Sequence, residues 1–286
     1  MTDYAPLLRL AVRHFAGDDE RLAEWLERLP PRVIARLRAD WWWQAHGGQK
    51  EPQGEWTTWL VMAGRGFGKT RAGAEWVSAR AREVPDGRIA LVGANRDDVV
   101  KVMVEGPSGL IRLARPDEPV TWKPSIGTLR FAGGAEAFVY SAEAPEGLRG
   151  PEHHFAWADE LGKWGRPSAF GRAGAGSARA DAAWDNLMMG LRLGDAPRCV
   201  VTTTPRPVPL LKRVMALEGT VVTRGRTEEN VHLPAAFVAQ VRDAYGGTRL
   251  AAQELDGELI ETVEGSLFPR ALIERCRVPP IAPPGR

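Results

Sequence analysis

Cysteine is scarce: Cys199 and Cys276 are the only two in 286 residues. They stand far apart with no metal-ligand spacing around them, which excludes a disulfide-built scaffold and a cysteine zinc site. Cys199 lies in the apolar run "APRCVVTTT" and is expected as a reduced core residue. Long apolar runs are also missing, and the amino terminus "MTDYAPLLRL" lacks a signal-peptide pattern. An intracellular protein without a membrane partner is expected. Charge of one sign is barely in excess, 38 Lys+Arg against 36 Asp+Glu, so nucleic acid is permitted by the balance and not implied by it. Tryptophan is plentiful instead, with 11 in the chain and a concentration at Trp25, Trp41, Trp42, Trp43, Trp56, Trp59 and Trp76. Core and subdomain contacts are the expected use of most. The length suits one α/β domain with appendages, or two small domains.

Residues 1–45 carry helical periodicity, with "GDDE" as a break and cap and Pro30-Pro31 dividing the stretch. "HGGQKEPQGE" is a loop by composition. Short apolar runs then alternate with helices. "TWLVMA", "GRIALVGA", "HFAWADE", "APRCVVTTT" and "GTVVTRG" are predicted strands, and "TLRFAGGAEAFVYSA" is a hairpin turning at Gly133-Gly134. "DDVVKVMVEG" is predicted as a helix. Alternation of this kind predicts a mostly parallel sheet with helices on both faces. The Gly/Ala/Ser/Arg-rich stretch 165–181 is expected to be a loop, either a tolerated insertion or a basic segment touching DNA. The chain returns to helix from 234, and 266–286 is a proline-rich tail.

The chemistry concentrates at two places. "WLVMAGRGFGKTRAGAEW" nearly matches the phosphate loop G-x-x-x-x-G-K-[ST], with Ala63 where its first glycine should stand and Arg65 inside. Strand, glycine loop and helix follow one another as the motif requires. Gly64, Gly66 and Gly68 would let backbone N–H groups approach phosphates, Lys69 would reach the β and γ oxygens, and the Thr70 hydroxyl would ligate Mg2+. Arg65 is an in-chain candidate for the γ-phosphate. Downstream, the buried strand "HHFAW" ends in Asp159-Glu160. Asp159 is expected on the Mg2+ shell and Glu160 as the base that polarises the attacking water. Thr203 or Thr204, ending a neighbouring strand, is a candidate sensor of the γ-phosphate.

Together these residues resemble the large terminase subunit, the DNA-packaging motor ATPase of tailed bacteriophages and gene transfer agents. The stretches "GRGFGKTRAGAEWV", "GLRGPEHHFAWADELGKW", "LRLGDAPRCVVTTTPRPVPLL" and "YGGTRLAAQELDGEL" carry the similarity in family order. An arginine at the position of Arg65 and a missing first glycine are both features of terminase phosphate loops.

The resemblance implies a P-loop NTPase of ASCE type over 46–233, with ATP and Mg2+ as cofactors. It implies that 234–265 is a small helical lid, that Gln49 reads adenine, and that Thr203-Thr204 couples hydrolysis to DNA movement. A bland loop glutamine is the alternative for Gln49. Arg149, in the loop-like "PEGLRGPEHH", resembles the arginine that acts on a neighbouring subunit's site, the alternatives being a surface turn or a DNA phosphate contact. Double-stranded DNA, a portal protein and a small terminase subunit are the implied partners, with a pentameric ring assembling on the portal in the bacterial host cytoplasm. Large terminases usually continue into an RNase H-like nuclease, whereas only Glu264 and Glu274 are acidic after residue 263, so no nuclease activity is expected from this chain. An ATPase piece of a longer chain, or a motor with its nuclease elsewhere, both remain open. A helicase of the same ATPase class, or a nucleotide-dependent assembly module with little turnover, are the competing functions. No second RecA-like lobe or "SAT"-like motif supports the helicase.

Overall fold

Why "TWLVMA" and "FAWAD" read as unbroken apolar runs is explained by where they lie. Both are interior strands of one eight-stranded sheet and are buried along their whole length. The computed structural model describes residues 11–260 except 12, 13, 16, 39 and 166–174, together with 275 and 276. Its strands are β1 (Thr58–Ala63), β2 (Arg88–Gly93), β3 (Thr121–Lys123), β4 (Thr128–Arg130), β5 (Glu136–Ser141), β6 (Phe155–Asp159), β7 (Arg198–Thr203) and β8 (Thr220–Gly225). The order across the sheet is β3-β4-β5-β2-β6-β7-β1-β8. From β5 to β8 all neighbours pair parallel, while β3 and β4 add an antiparallel edge. The sheet is therefore the mostly parallel one expected, and β4–β5 is the expected hairpin. The short strand β3 was not foreseen, being three residues long with two of them exposed.

Alternation along each strand divides the core in two. Trp59 and Val61 of β1 face one side with Trp157, Ala74 and Val77, while Leu60 and Met62 face the other with Ala156, Ala158, Trp184 and Leu187. The helix Lys69–Glu83 covers the first face, and the helices Ala175–Gly190 and Pro209–Met215 cover the second. Ahead of the sheet, Asp18 caps the helix Asp19–Glu27 by accepting from Arg21 N at 3.1 Å. Val33, from the helix Pro31–Arg38, and Ala11 are buried with Phe15, Trp25 and Leu26 in a small separate cluster.

Two expectations need correction. The end of the loop expected over 165–181 is helix from Ala175 onward, and 166–174 lie outside the described residues. Glycine content suggested a loop, but alanine is the strongest helix former, and Ala180, Ala183, Trp184 and Leu187 form one buried stripe against the sheet. The helix expected over "DDVVKVMVEG" is one turn, Arg96–Asp98, running into a π-helix at Val99–Val104. Val99, Met103 and Val104 are buried there, a spacing of four and five that the wider turn brings onto one face. Of the other segments, 1–10, 261–265 and most of the proline-rich 266–286 lie outside the described residues. Among the described residues no helix is long and apolar enough to cross a membrane.

Candidate active site

β1, β6 and β7 run parallel and adjacent to one another, so the glycine loop, Asp159-Glu160 and the threonines meet at their carboxyl ends, where open α/β sheets hold ligands. The loop turns through left-handed Gly66 (φ 81) and Gly68 (φ 93) into the helix that starts at Lys69. Its carbonyls are held from outside. Thr227 Oγ1 donates to Arg65 O at 2.6 Å, Asn230 Nδ2 to Gly66 O at 2.7 Å, and Gln49 Nε2 to Phe67 O and Gly68 O at 3.1 and 3.2 Å. His46 Nε2 adds a contact to Phe67 O at 3.0 Å. With the carbonyls so engaged, the first-turn N–H groups, which have no helical partner, are left to face the cavity.

Packing holds the same loop. Phe67 is fully buried between Gly48 and Gly225, where an added Cβ would lie 2.6 and 2.0 Å from its ring. Gly64 has Leu255 O within 2.3 Å of where a Cβ would stand, and Arg65 N donates to Glu254 O at 2.5 Å. The stretch following the helix Arg249–Glu254 thus closes on the glycine loop directly. Lys69 is buried, and its Nζ donates to Ala63 O and Gly64 O, both at 2.9 Å. Burial lowers the Lys69 pKa, and the carboxylates of Glu160, Asp159 and Glu254 oppose that shift.

Opposite the lysine, register decides the acids. Asp159 pairs with Thr202 across β6 and β7, and the Thr202 hydroxyl donates to Asp159 Oδ1 at 2.6 Å. Burial, then the charge of Glu160, pushes the Asp159 pKa up to about 7, against the pull of Thr202 and Lys69. Glu160 has φ 49, the only left-handed non-glycine among the described residues. Strain of this kind, about 1 kcal/mol or more, concentrates at functional sites. Thr204 Oγ1 donates to Glu160 Oε1 at 3.3 Å.

A cavity of about 710 Å³ is lined by Gln49, Arg65, Gly66, Gly68, Lys69, Thr70, Glu160 and Thr204 among others, with Asp159 buried next to Glu160 and outside that lining. Of the two threonines foreseen, Thr204 faces the cavity. Thr203 does not, since its hydroxyl accepts from Gly162 N at 2.9 Å and donates to Thr204 O. Arg149 lies outside the cavity, three-quarters exposed, 3.7 Å from Glu146. Gln49 is buried, with its amide spent on the glycine loop and its Oε1 accepting from His46 N at 3.3 Å. The sequence reading missed Thr202, Lys163, Arg206, Asn230 and Glu254. Thr202 belongs to the same threonine run as its foreseen neighbours, but nothing local marks which hydroxyl meets the acid.

Magnesium fits the donors present. Thr70 offers a hydroxyl in the cavity, and Asp159 keeps one carboxylate oxygen clear of the Thr202 bond. No group of three or more His, Cys, Asp or Glu suited to a metal occurs among the described residues, and Mg2+ usually takes one or two protein oxygens plus phosphate and water. A buried lysine, a helix N-terminus and a polarised carboxylate around one cavity can bind a polyphosphate and activate water against it.

Residues 60–275 match the family described as terminase large subunit, T4likevirus-type, N-terminal. The large terminase of a thermophilic bacteriophage, in complex with ADP, superposes with a TM-score of 0.59 at 11% identity, covering 78% of this chain and 52% of that one. The Thermus phage P74-26 large terminase ATPase domain superposes with a TM-score of 0.54 at 15% identity, covering 84% of this chain and 98% of that one. This chain therefore spans about half the length of the ADP-bound terminase and nearly all of the P74-26 ATPase domain. No curated protein matches in sequence. The fold is that of the large-terminase ATPase domains, and the chain belongs to the family of terminase large subunits, T4likevirus-type, over whose N-terminal part it matches.

Proposed function

We propose that this chain hydrolyses ATP in the 710 Å³ cavity and that hydrolysis drives double-stranded DNA into a viral or virus-like capsid. The observation that carries the ATPase assignment is the convergence of Lys69, Thr70, Glu160 and Thr204 on one cavity at the carboxyl ends of parallel strands. Lys69 Nζ exchanges the carbonyls of Ala63 and Gly64 for β- and γ-phosphate oxygens, which suit its charge better. Gly64, Gly66 and Gly68 keep the backbone close enough for its amides to bind the same oxygens. Thr70 and Asp159 would hold Mg2+, which supplies neutralisation of charge on the β and γ oxygens. Glu160, steadied by Thr204, orients a water in line with the γ-phosphate and polarises it. Arg65 in the cavity wall stabilises the charge that develops on the phosphate.

The remaining assignments rest on the family. Gln49 reads adenine, for which its amide must leave the carbonyls of Phe67 and Gly68. The helices Ala235–Tyr245 and Arg249–Glu254 act as a lid, and Thr203-Thr204 transmits hydrolysis to DNA. Arg149 serves a neighbouring subunit in a ring on the portal, in the host cytoplasm, with the small terminase subunit delivering DNA.

Steady-state ATPase measured with and without double-stranded DNA and portal tests this function. Lys69→Ala should abolish nucleotide binding, and Glu160→Gln should bind ATP but turn over at least about 10²-fold more slowly. Wild-type turnover in Glu160→Gln would remove the base assignment. Unwinding of a forked duplex would favour a helicase.

A further inference from the structure

Arg206, two residues past Thr204, lines the same cavity as Lys69, Thr70 and Glu160. Its side chain is 27% exposed, and its nearest carboxylate is Glu254 Oε1 at 3.9 Å, too far for a hydrogen bond. That Glu254 oxygen already accepts from Gln253 Nε2 at 3.3 Å. Arg206 Nε is fully buried without a partner among the described residues. A guanidinium carries five donors and is always charged. Such a group half-buried, unbonded and facing a cavity marks a place where an anion belongs.

The backbone around it says which part of a nucleotide that anion is. A Cβ added at Gly162 would stand 3.2 Å from Arg206 Cβ and 3.0 Å from Thr203 Oγ1. Gly162 is two residues past Glu160, and Thr204 donates to Glu160. The arginine stem is therefore packed against the segment that carries the water-polarising acid, and its head shares the cavity with Lys69.

We propose that Arg206 contacts the terminal phosphate of the bound nucleoside triphosphate from within the chain and distinguishes triphosphate from diphosphate. The inference rests on the cavity being the ATP site. Arg206 forks onto γ-phosphate oxygens beside Glu160, and in the diphosphate complex its nearest counter-charge is Glu254 on the last turn of the Arg249–Glu254 helix. Arg206 is thus a catalytic residue distinct from Arg65 in the loop and from exposed Arg149.

The test is competition binding of ADP and ATPγS, together with ATP turnover, on the full chain. The proteins are wild type, Arg206→Ala, Arg206→Lys, Glu254→Gln and Lys69→Ala, each checked for cooperative thermal unfolding. Arg206→Ala should keep ADP affinity within about twofold, weaken ATPγS by about tenfold or more, and slow turnover by about 10²-fold or more. Arg206→Lys should recover part of the ATPγS affinity, and Glu254→Gln should not reproduce the selective loss of ATPγS. Equal weakening of ADP and ATPγS would overturn the proposal, as would wild-type turnover in Arg206→Ala. A loss reproduced by Glu254→Gln would make the arginine a strut for the helix and overturn it too. Reduced DNA affinity with intact ATPγS binding would assign Arg206 to the DNA backbone instead. If wild type bound neither nucleotide and Lys69→Ala matched it, the ATP site itself would be wrong, a result distinguishable from failure at Arg206 alone.

Discussion

The Thr202 hydroxyl stands between Asp159 and Trp157, donating to Asp159 Oδ1 at 2.6 Å and accepting from the Trp157 indole N–H at 2.8 Å. Both bonds are buried, and Trp157 and Asp159 are two residues apart along β6, so an acid at the site is tied to the core by one hydroxyl.

Thr202→Val keeps the volume and removes that hydroxyl. The indole then loses its buried acceptor, a loss of about 1–3 kcal/mol in stability. The bond to Thr202 lowers the Asp159 pKa, so its removal raises that pKa further. The acid limb of Mg2+-dependent ATP turnover should move to higher pH, and Thr202→Ser should restore it. A pH–rate profile of the three proteins decides, and an unmoved acid limb in Thr202→Val would separate Thr202 from the acid.

Asp159 itself gives a pH dependence of stability. Its folded pKa, about 7, is raised above the ordinary 3.8, so the folded protein holds this proton more tightly than the unfolded chain. Stability therefore falls as pH rises from about 4 through about 7, and the charged buried form is fully present above that. Asp159→Asn should melt higher than wild type at about pH 8, with the difference shrinking toward about pH 5, while Mg2+-dependent nucleotide binding is lost. Thermal unfolding across that range without Mg2+ or nucleotide is the measurement, and a difference independent of pH would contradict the assignment.

Gly73, inside the helix Lys69–Glu83, faces Trp157 so closely that a Cβ would lie 2.3 Å from its ring. Alanine there gains up to about 1 kcal/mol in helix propensity. Overpacking against a fully buried indole outweighs it, at about 1–3 kcal/mol. Gly73→Ala should be less stable than wild type in urea unfolding, and the displaced indole should weaken the bond to Thr202. An equal or higher unfolding midpoint would show that the ring has room to move.

For Arg149, exposure outside the cavity excludes a contact with its own chain's phosphate loop in this conformation. Arg149→Ala should bind ATP as wild type does and, in assembled rings, hydrolyse it about 10³-fold more slowly. Mixed with Lys69→Ala subunits, which keep Arg149, its intact sites should partly recover. Absence of recovery in mixed rings would leave Arg149 a surface residue. Loss of DNA affinity with unchanged hydrolysis would make it a backbone contact.

Much of the site is local chemistry and was readable from sequence alone. A buried strand before "GRGFGKT" and a helix after it define the glycine loop, because left-handed turns require glycine at Gly66 and Gly68 and the lysine follows at once. An apolar run ending in Asp159-Glu160 likewise declares its own strand end. The eight-stranded order was not readable, nor was the helix at Ala175–Gly190, whose alanines stand among glycines that suggest a loop. Thr202 bonds the acid, Thr204 faces the cavity and Thr203 turns inward, although the three are chemically identical neighbours. Register with β6, more than forty residues away in sequence, makes that choice. Asn230 and Glu254 reach the glycine loop, and Arg206 reaches its cavity, only because segments far apart in sequence meet there. Spacing along a strand or helix is set by bonds within it, whereas a contact between distant segments depends on how the whole sheet buries its two faces.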